Sequence, residues 1–445
     1  MLLVCLLAAS AASAKTYYVA PKARGGSDRK PGTLAAPFAT LKKGAAVLRP
    51  GDQLYVRGGT YHESLSVWEK RGSSDNPIHI TAYPGEKPVI DGTGTTASNA
   101  VVSIGDASWI RFDGFEVKNG PKSGIAVYDS NNVKIRSNDV HHNQEFGIHI
   151  GSGEESPFGK THDVDVEGNK VHDNVLSNSK RTSQRGWGQA IGTIRASRVD
   201  ITGNYVSENY GEGIDLVVTD RGRIIDNTVS DNFSVNIYLD NATRAVVDRN
   251  FVVTGWSAKA QQYYRGGTPA MGIHTENEKY RQQTPLNDLT ITNNIVVNCR
   301  FGFSYSNSER GGGLHNTLIA NNTFVRPTDL VLYIENGPKE IHDRTVIVNN
   351  IFYARGTDYV DAPSPAIRYL TNCWYGGKRD TQKRGPGDVL ADPAFVNAGG
   401  GDKSDYKLTA GSPCIDKGTL ERRVTNDFFG KPRARAALDI GAHEF

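Results

Sequence analysis

One phrase recurs through the middle of the chain: a short β-branched run, an asparagine, one further residue, then Val or Phe. It reads IRSNDV, VEGNKV, ITGNYV, IIDNTV, VDRNFV, ITNNIV, IANNTF and IVNNIF, around Asn138, Asn169, Asn204, Asn227, Asn250, Asn294, Asn322 and Asn350. Asn204, Asn227 and Asn250 fall 23 residues apart, and the wider gaps read as the same unit with loops inserted. Between successive asparagines lies a second strand phrase, such as GIHIG, GIDLV, NIYLD, GIHTE and GFSYS. Each unit therefore holds at least two short strands and a turn. A unit this short cannot bury its own core, whereas stacking it on its neighbours buries a continuous one. The pattern predicts an all-β fold, a single-stranded right-handed parallel β-helix. The asparagines read as structural, because Asn tolerates left-handed turns and hydrogen-bonds locally, and stacked copies can form a side-chain ladder.

Alternate residues of a strand share a face. Aligning the second phrase gives an inward column of Ile148, Ile191, Ile214, Ile237, Ile273, Phe303, Leu332 and Ile367. The next residue in each unit points out: Ala126, His149, Gly192, Asp215, Tyr238, His274, Ser304, Tyr333 and Arg368. Two residues on, the outward set is Tyr128, Gly151, Ile194, Val217, Asp240, Glu276, Ser306, Glu335 and Leu370. A solvated face favours Lys, Thr and Ser. This one carries His, Asp, Glu and Tyr, which points to chemistry. Long insertions flank the same strands. One carries Lys180, Arg181, Arg185 and Trp187; another carries Trp256, Lys259, Tyr263, Tyr264 and Arg265. Loops on a rigid scaffold are where recognition usually resides.

The first residues, MLLVCLLAASAASA, are apolar and then small, and end in Ala12-Ser13-Ala14. That pattern predicts a signal peptide over 1–14, hence a secreted or periplasmic protein. A cap and first rungs are expected over 15–92, the repeats over 93–372, and a C-terminal extension and cap over 373–445. The run PFATLKKGAAVL has Phe38, Leu41, Ala45 and Leu48 at helical spacing, a short helix suited to covering an open sheet edge. Cys299, Cys373 and Cys414 remain after cleavage. Export permits a disulfide, with Cys373–Cys414 the pair of least sequence distance, and no C-x-x-C pair suggests zinc. No apolar run after the start is long enough to span a membrane. The net charge is +3, too mild for a nucleic-acid partner. A monomer is expected.

The opening resembles that of secreted right-handed parallel β-helix proteins, including pectate-lyase-like polysaccharide lyases. The residues that carry the resemblance are Tyr17-Tyr18-Val19, Pro37-Phe38-Ala39-Thr40, Pro50-Gly51-Asp52, Arg57-Gly58-Gly59-Thr60-Tyr61 and Ala82-Tyr83-Pro84-Gly85. The C-terminal runs DPAFVNAGGGDKSDYKLTAGSPCIDKG and LDIGAHEF extend it over nearly the whole mature chain. It is specific for fold and weak for activity, because one frame hosts lyases, hydrolases, epimerases and binding proteins. There is no DD pair, as in polygalacturonase-like hydrolases and several calcium-dependent pectate lyases, and no DPHD run of alginate C5-epimerases. No family's catalytic set is therefore carried over.

The residues themselves leave two chemistries and one alternative without chemistry. In β-elimination of a uronic-acid polysaccharide, a cation or Arg neutralises the uronate, and a base removes the acidified proton. Asp215, Asp240 and Glu276 are hard oxygen ligands suited to Ca²⁺. His274 and Tyr238 are the candidate base and acid, with Glu276 and Asp240 beside them. His149, Lys259, Tyr264, Arg265, Trp187, Tyr333 and Glu335 are the candidate substrate contacts. In hydrolysis two carboxylates flank the bond. Glu276 and Glu335 stand two rungs apart, ~9.6 Å along the axis, near the inverting separation. The third reading is a β-helix that binds polysaccharide without cleaving it. The expected partner in all three is an acidic polysaccharide.

Overall fold

A computed structural model of the chain describes residues 13–96, 100–180, 187–255, 268–278, 286–307, 312–336, 341–361, 364–378, 385–434 and 437–445. Within them the strands form three parallel sheets of 13, 11 and 12 strands. Each turn of the chain contributes one strand to each sheet, which is the predicted parallel β-helix. The helix Leu41–Val47 sits at the N-terminal end, capped by Thr40, whose side chain accepts from the Lys43 N–H. It packs beside the strand Leu65–Trp68 and covers the first rungs. Among the described residues no helix is long and apolar enough to cross a membrane.

The interior is a stack of like on like. Ile148, Ile191, Ile214, Ile237, Ile273, Phe303 and Leu332 are in register on successive strands of the 11-stranded sheet, and all are buried. The sequence places Ile367 next in this column, and the structure does not. Leu332 pairs with Val360 of the strand Asp358–Asp361, while Ile367 and Arg368 belong to the 13-stranded sheet. The strand Asp358–Asp361 takes that turn's place in the 11-stranded sheet, so Arg368 and Leu370 fall on the following strand, in the 13-stranded sheet, and leave the outward columns.

The asparagine ladder is continuous from Asn138 to Asn372. At each step one side chain does three things. Asn227 Nδ2 donates to Asn250 Oδ1 (3.0 Å) and to the Ile201 and Ile225 carbonyls, and Asn227 Oδ1 accepts from Asn204 N and Nδ2. The buried turn's polar groups are thus satisfied, as burial requires. The left-handed residue is the one before the ladder asparagine, not the asparagine itself: Ser137, Asp226, Arg249 and Asn293 have φ of 53°, 58°, 53° and 53°. A second ladder runs through Asn143, Asn174, Asn209, Asn232 and Asn236, and ends on Thr254 Oγ1. It supports the corner from which the strands of the 11-stranded sheet begin.

The C-terminal extension packs on the last rungs. Arg433, its side chain 1% exposed, pairs with Glu444 at 3.0 Å and donates to Asn293 Oδ1. Cys373 and Cys414 lie in one buried cluster with Phe395, Tyr406 and Phe428. Both are free thiols rather than the expected disulfide, and Cys373 Sγ donates to the Ala391 carbonyl at 3.4 Å. Cys299 is also free and buried, against Thr254.

Candidate active site

The 11-stranded sheet carries both outward columns. Ala126, His149, Gly192, Asp215, Tyr238, His274, Ser304 and Tyr333 are in register along it. The neighbouring column runs Tyr128, Gly151, Ile194, Val217, Asp240, Glu276 and Ser306. Although these side chains point away from the core, the middle of the face is not solvated. Asp215 is 1% exposed, Asp240 3%, His274 4% and Tyr238 7%. Charged groups in so dry a place must pair or change protonation.

They divide into two poles. The first is Glu276 with Tyr238 and His274. Tyr238 Oη donates to Glu276 Oε2 at 2.6 Å, and His274 Nε2 stands 3.4 Å from the same oxygen. Ser304 Oγ holds His274 Nδ1 at 2.8 Å, and Ser306 Oγ lies 3.2 Å from Nε2. The Tyr238 and His274 rings are 5.1 Å apart. Burial pushes the Glu276 carboxyl up, but the hydrogen bonds from His274 and Tyr238 outweigh it and leave it below its ordinary value. Glu276 is thus a carboxylate at neutral pH. Burial, then the charges of Asp240 and Glu276, hold the Tyr238 phenol well above its ordinary value, so it keeps its proton.

The second pole is Glu212 with Asp215 and Asp240. Glu212 starts the strand Glu212–Val217 and is in register with Gln189, whose amide donates to it at 3.3 Å. Trp187 also hydrogen-bonds Glu212, and its ring meets Phe233 edge-on at 5.3 Å. Burial raises Glu212, and the charges of Glu278 and Glu276 add to it. Burial raises Asp215 well above the carboxylate range, and Glu212 and Asp240 push in the same direction. One oxygen of Asp215, Oδ1, is buried with no hydrogen-bond partner. This pole favours a bound proton, or a cation in its place.

Sequence reading missed Glu212. Its strand parity is that of the inward Ile214 and Leu216, so alternation assigns it to the core. At the corner where the strand begins, that parity no longer holds. The one available signal was the alignment of two polar residues, Gln189 and Glu212, at an apolar position of the repeat.

The remaining candidates fall elsewhere. Asp215, Asp240 and Glu276 do not form a three-ligand cage, because Glu276 is turned to Tyr238 and His274. Among the described residues no group of three His, Cys, Asp or Glu side chains converges to hold a metal. Glu335 accepts from the Asn307 N–H at 2.9 Å and holds a strand end. Tyr333 stacks on Phe301 at 5.2 Å, with Arg300 over the other ring. His149 lies between Tyr128 and Phe146, at 5.3 and 4.5 Å, and desolvation lowers it to about 4, so it is neutral. Lys259, Tyr264 and Arg265 lie outside the described residues.

A right-handed parallel β-helix with ionisable groups gathered on one sheet face defines the class of this protein. Within that class, the chain belongs to the Pel9A-like right-handed β-helix family, whose β-helix region matches residues 17–324. It is similar to "Pectate lyase PEL9" of Emericella nidulans, at 31% identity over 32% of this chain and 37% of that protein. It is also similar to "Pectate lyase L" of Paenibacillus polymyxa, at 32% identity over 25% of each chain. The matches thus span well under half the length of either relative. Among solved structures, pectate lyase Pel9A superposes with TM-score 0.59 and 17% identity, covering 98% of this chain and 97% of that one. The XylC complex with xylose gives TM-score 0.64 and 13% identity, covering 97% and 98%. At such identities the two superpositions speak for the fold.

Proposed function

We propose that this is a secreted polysaccharide lyase that cleaves a uronic-acid polymer by β-elimination. The observation that carries the reading is the division of one dry sheet face into an ionised Glu276, tied to Tyr238 and His274, and a proton-holding pole at Glu212 and Asp215, beside Asp240. The pectate lyases among its relatives make a pectic substrate the first to try.

In this reading His274 passes its Nε2 proton to Glu276, and the freed Nε2 then takes the proton from the carbon next to the uronate carboxyl. The electrons of that C–H bond form the new double bond, and the C–O bond to the leaving sugar breaks. Tyr238, kept protonated by burial, supplies the proton to the leaving oxygen. Glu276 orients both groups through its two hydrogen bonds and carries the proton back from His274 to Tyr238. Ser304 fixes the imidazole ring. The orphaned Asp215 Oδ1 and the crowded carboxylates fit a hard cation such as Ca²⁺. Asp215 and Asp240 would hold it. Such an ion, when bound, neutralises the uronate and makes the neighbouring C–H more acidic.

Pectate degradation should stop when EDTA is added and return with excess Ca²⁺, as viscosity loss reports. Cleavage of neutral polysaccharides with pectate and alginate untouched would overturn the substrate class.

A second reading is a glycoside hydrolase. Two carboxyl poles with values pushed apart are the pattern of a general acid beside a base or nucleophile, here the Glu212–Asp215 pair and Glu276. Product chemistry separates the two.

A further inference from the structure

Trp68 ends the strand Leu65–Trp68, the outermost strand of the 11-stranded sheet at its N-terminal end. It is 49% exposed, among the largest apolar groups left in solvent. Its ring lies over the backbone of the next rung. A Cβ on Gly105 would stand 2.0 Å from Trp68 Cζ3 and 2.2 Å from Cε3. Glycine at 105 thus lets the indole lie flat, one face on the sheet and the other open. The helix Leu41–Val47 already packs at this edge, so the indole is not needed to close it.

Trp68 also has an address. It is in register with Gly105, Tyr128, Gly151, Ile194, Val217 and then Asp240. This is the column that holds Glu276 one strand further on. The parallel column beside it is small at this end, with Ser66, Ser103 and Ala126. Tyr128 and His149 place two more rings between Trp68 and the acidic poles. The result is a track with a low floor and aromatic steps, continuous with the candidate active site. Asp215 lies five strands from Trp68, ~24 Å along the axis.

We infer that Trp68 is a distal sugar-stacking platform for the polysaccharide that enters the acidic poles. This rests on the polysaccharide reading of that site. An open indole face takes the C–H face of a pyranose ring, and its distance from the site means that only a long chain reaches both. The protein is then built to engage polymers along several sugars, not short oligosaccharides.

The test compares wild type with Trp68→Ala, Trp68→Phe and Gly105→Val. Affinity is read by gel retardation in polygalacturonate, in a Glu276→Gln background, so that binding is measured whether or not the chemistry is elimination. Trp68→Ala should weaken polymer binding about fivefold to tenfold, and Gly105→Val should do the same by tilting the ring. Trp68→Phe should keep most of the affinity, and thermal midpoints should stay near the parent value. In the Glu276 background, affinity for trigalacturonate should not change. With Glu276 restored, KM for polymer should rise and kcat should hold. Equal polymer affinity in Trp68→Ala, or an equal loss for trimer and polymer, would overturn the platform. A weakened polymer affinity together with hydrolytic products would keep the platform and reject the lyase reading alone.

Discussion

Glu276→Gln should lower turnover of an acidic polysaccharide by about 10²- to 10⁴-fold while leaving its dissociation constant within a few-fold. The substitution keeps volume and keeps an oxygen for the Tyr238 hydroxyl, which now donates to Glu276 at 2.6 Å. What it removes is the negative charge. That charge is present in the parent because hydrogen bonds from His274 and Tyr238 overcome the effect of burial. A glutamine cannot carry a proton between His274 and Tyr238, so the cycle stalls after one transfer. Steady-state rates beside equilibrium binding decide the matter. A protein that only binds polysaccharide has no turnover to lose and keeps its affinity. Unchanged turnover in a folded variant would make the Tyr238–Glu276 bond a structural feature.

Asp215→Asn should give a protein that is more stable at neutral pH and inactive. Asp215 is 1% exposed and its carboxyl is raised by burial and by Glu212 and Asp240. In the unfolded chain the same group titrates at about 3.9. Between that value and the raised folded value, the native state binds more protons than the unfolded state. Stability must therefore fall as pH rises through that window, fully present below it and lost above. Glu212 is raised too and acts in the same direction. Asparagine has no proton to lose, and its amide donates to Glu212, which already shares a hydrogen bond with position 215. Urea midpoints taken from pH 5 to pH 8 should decline in the parent and decline less in the variant. The gain at neutral pH should be about 1 kcal/mol or more. Parallel curves would mean that Asp215 ionises normally. Added Ca²⁺ should flatten the parent's curve, because a cation replaces the proton.

The architecture was legible because the repeat imposes one simple rule at every turn: apolar in, asparagine at the corner. That rule gave the columns through Asp215, Tyr238, His274 and Glu276 in the register observed. It failed where the rule is locally suspended. Alternation puts Ile367 in the column because nothing in the polar, proline-containing stretch before it announces the short strand Asp358–Asp361. Glu212 escapes notice because alternation gives it to the core. The left-handed turn residue varies among Ser, Gly, Asp, Arg, Asn and Thr, so only the invariant neighbour announces itself. Parity also says which side chains face outward but not how dry that face is. The split between an ionised Glu276 and a proton-holding Glu212 and Asp215 depends on burial and on close charges. Neither is written in the spacing of residues.

As a lyase, the protein breaks a sugar–sugar bond by removing a proton at the two poles and adding no water. Mass spectrometry of the products of pectate digestion in ¹⁸O-labelled water tests it most directly, with ultraviolet absorbance read in parallel. Elimination predicts fragments whose masses sum to that of the substrate, with no ¹⁸O incorporated and a double bond that absorbs in the ultraviolet. Fragments that together weigh one water more, carry ¹⁸O and show no new absorbance would contradict it, and would assign Glu212, Asp215 and Glu276 to hydrolysis.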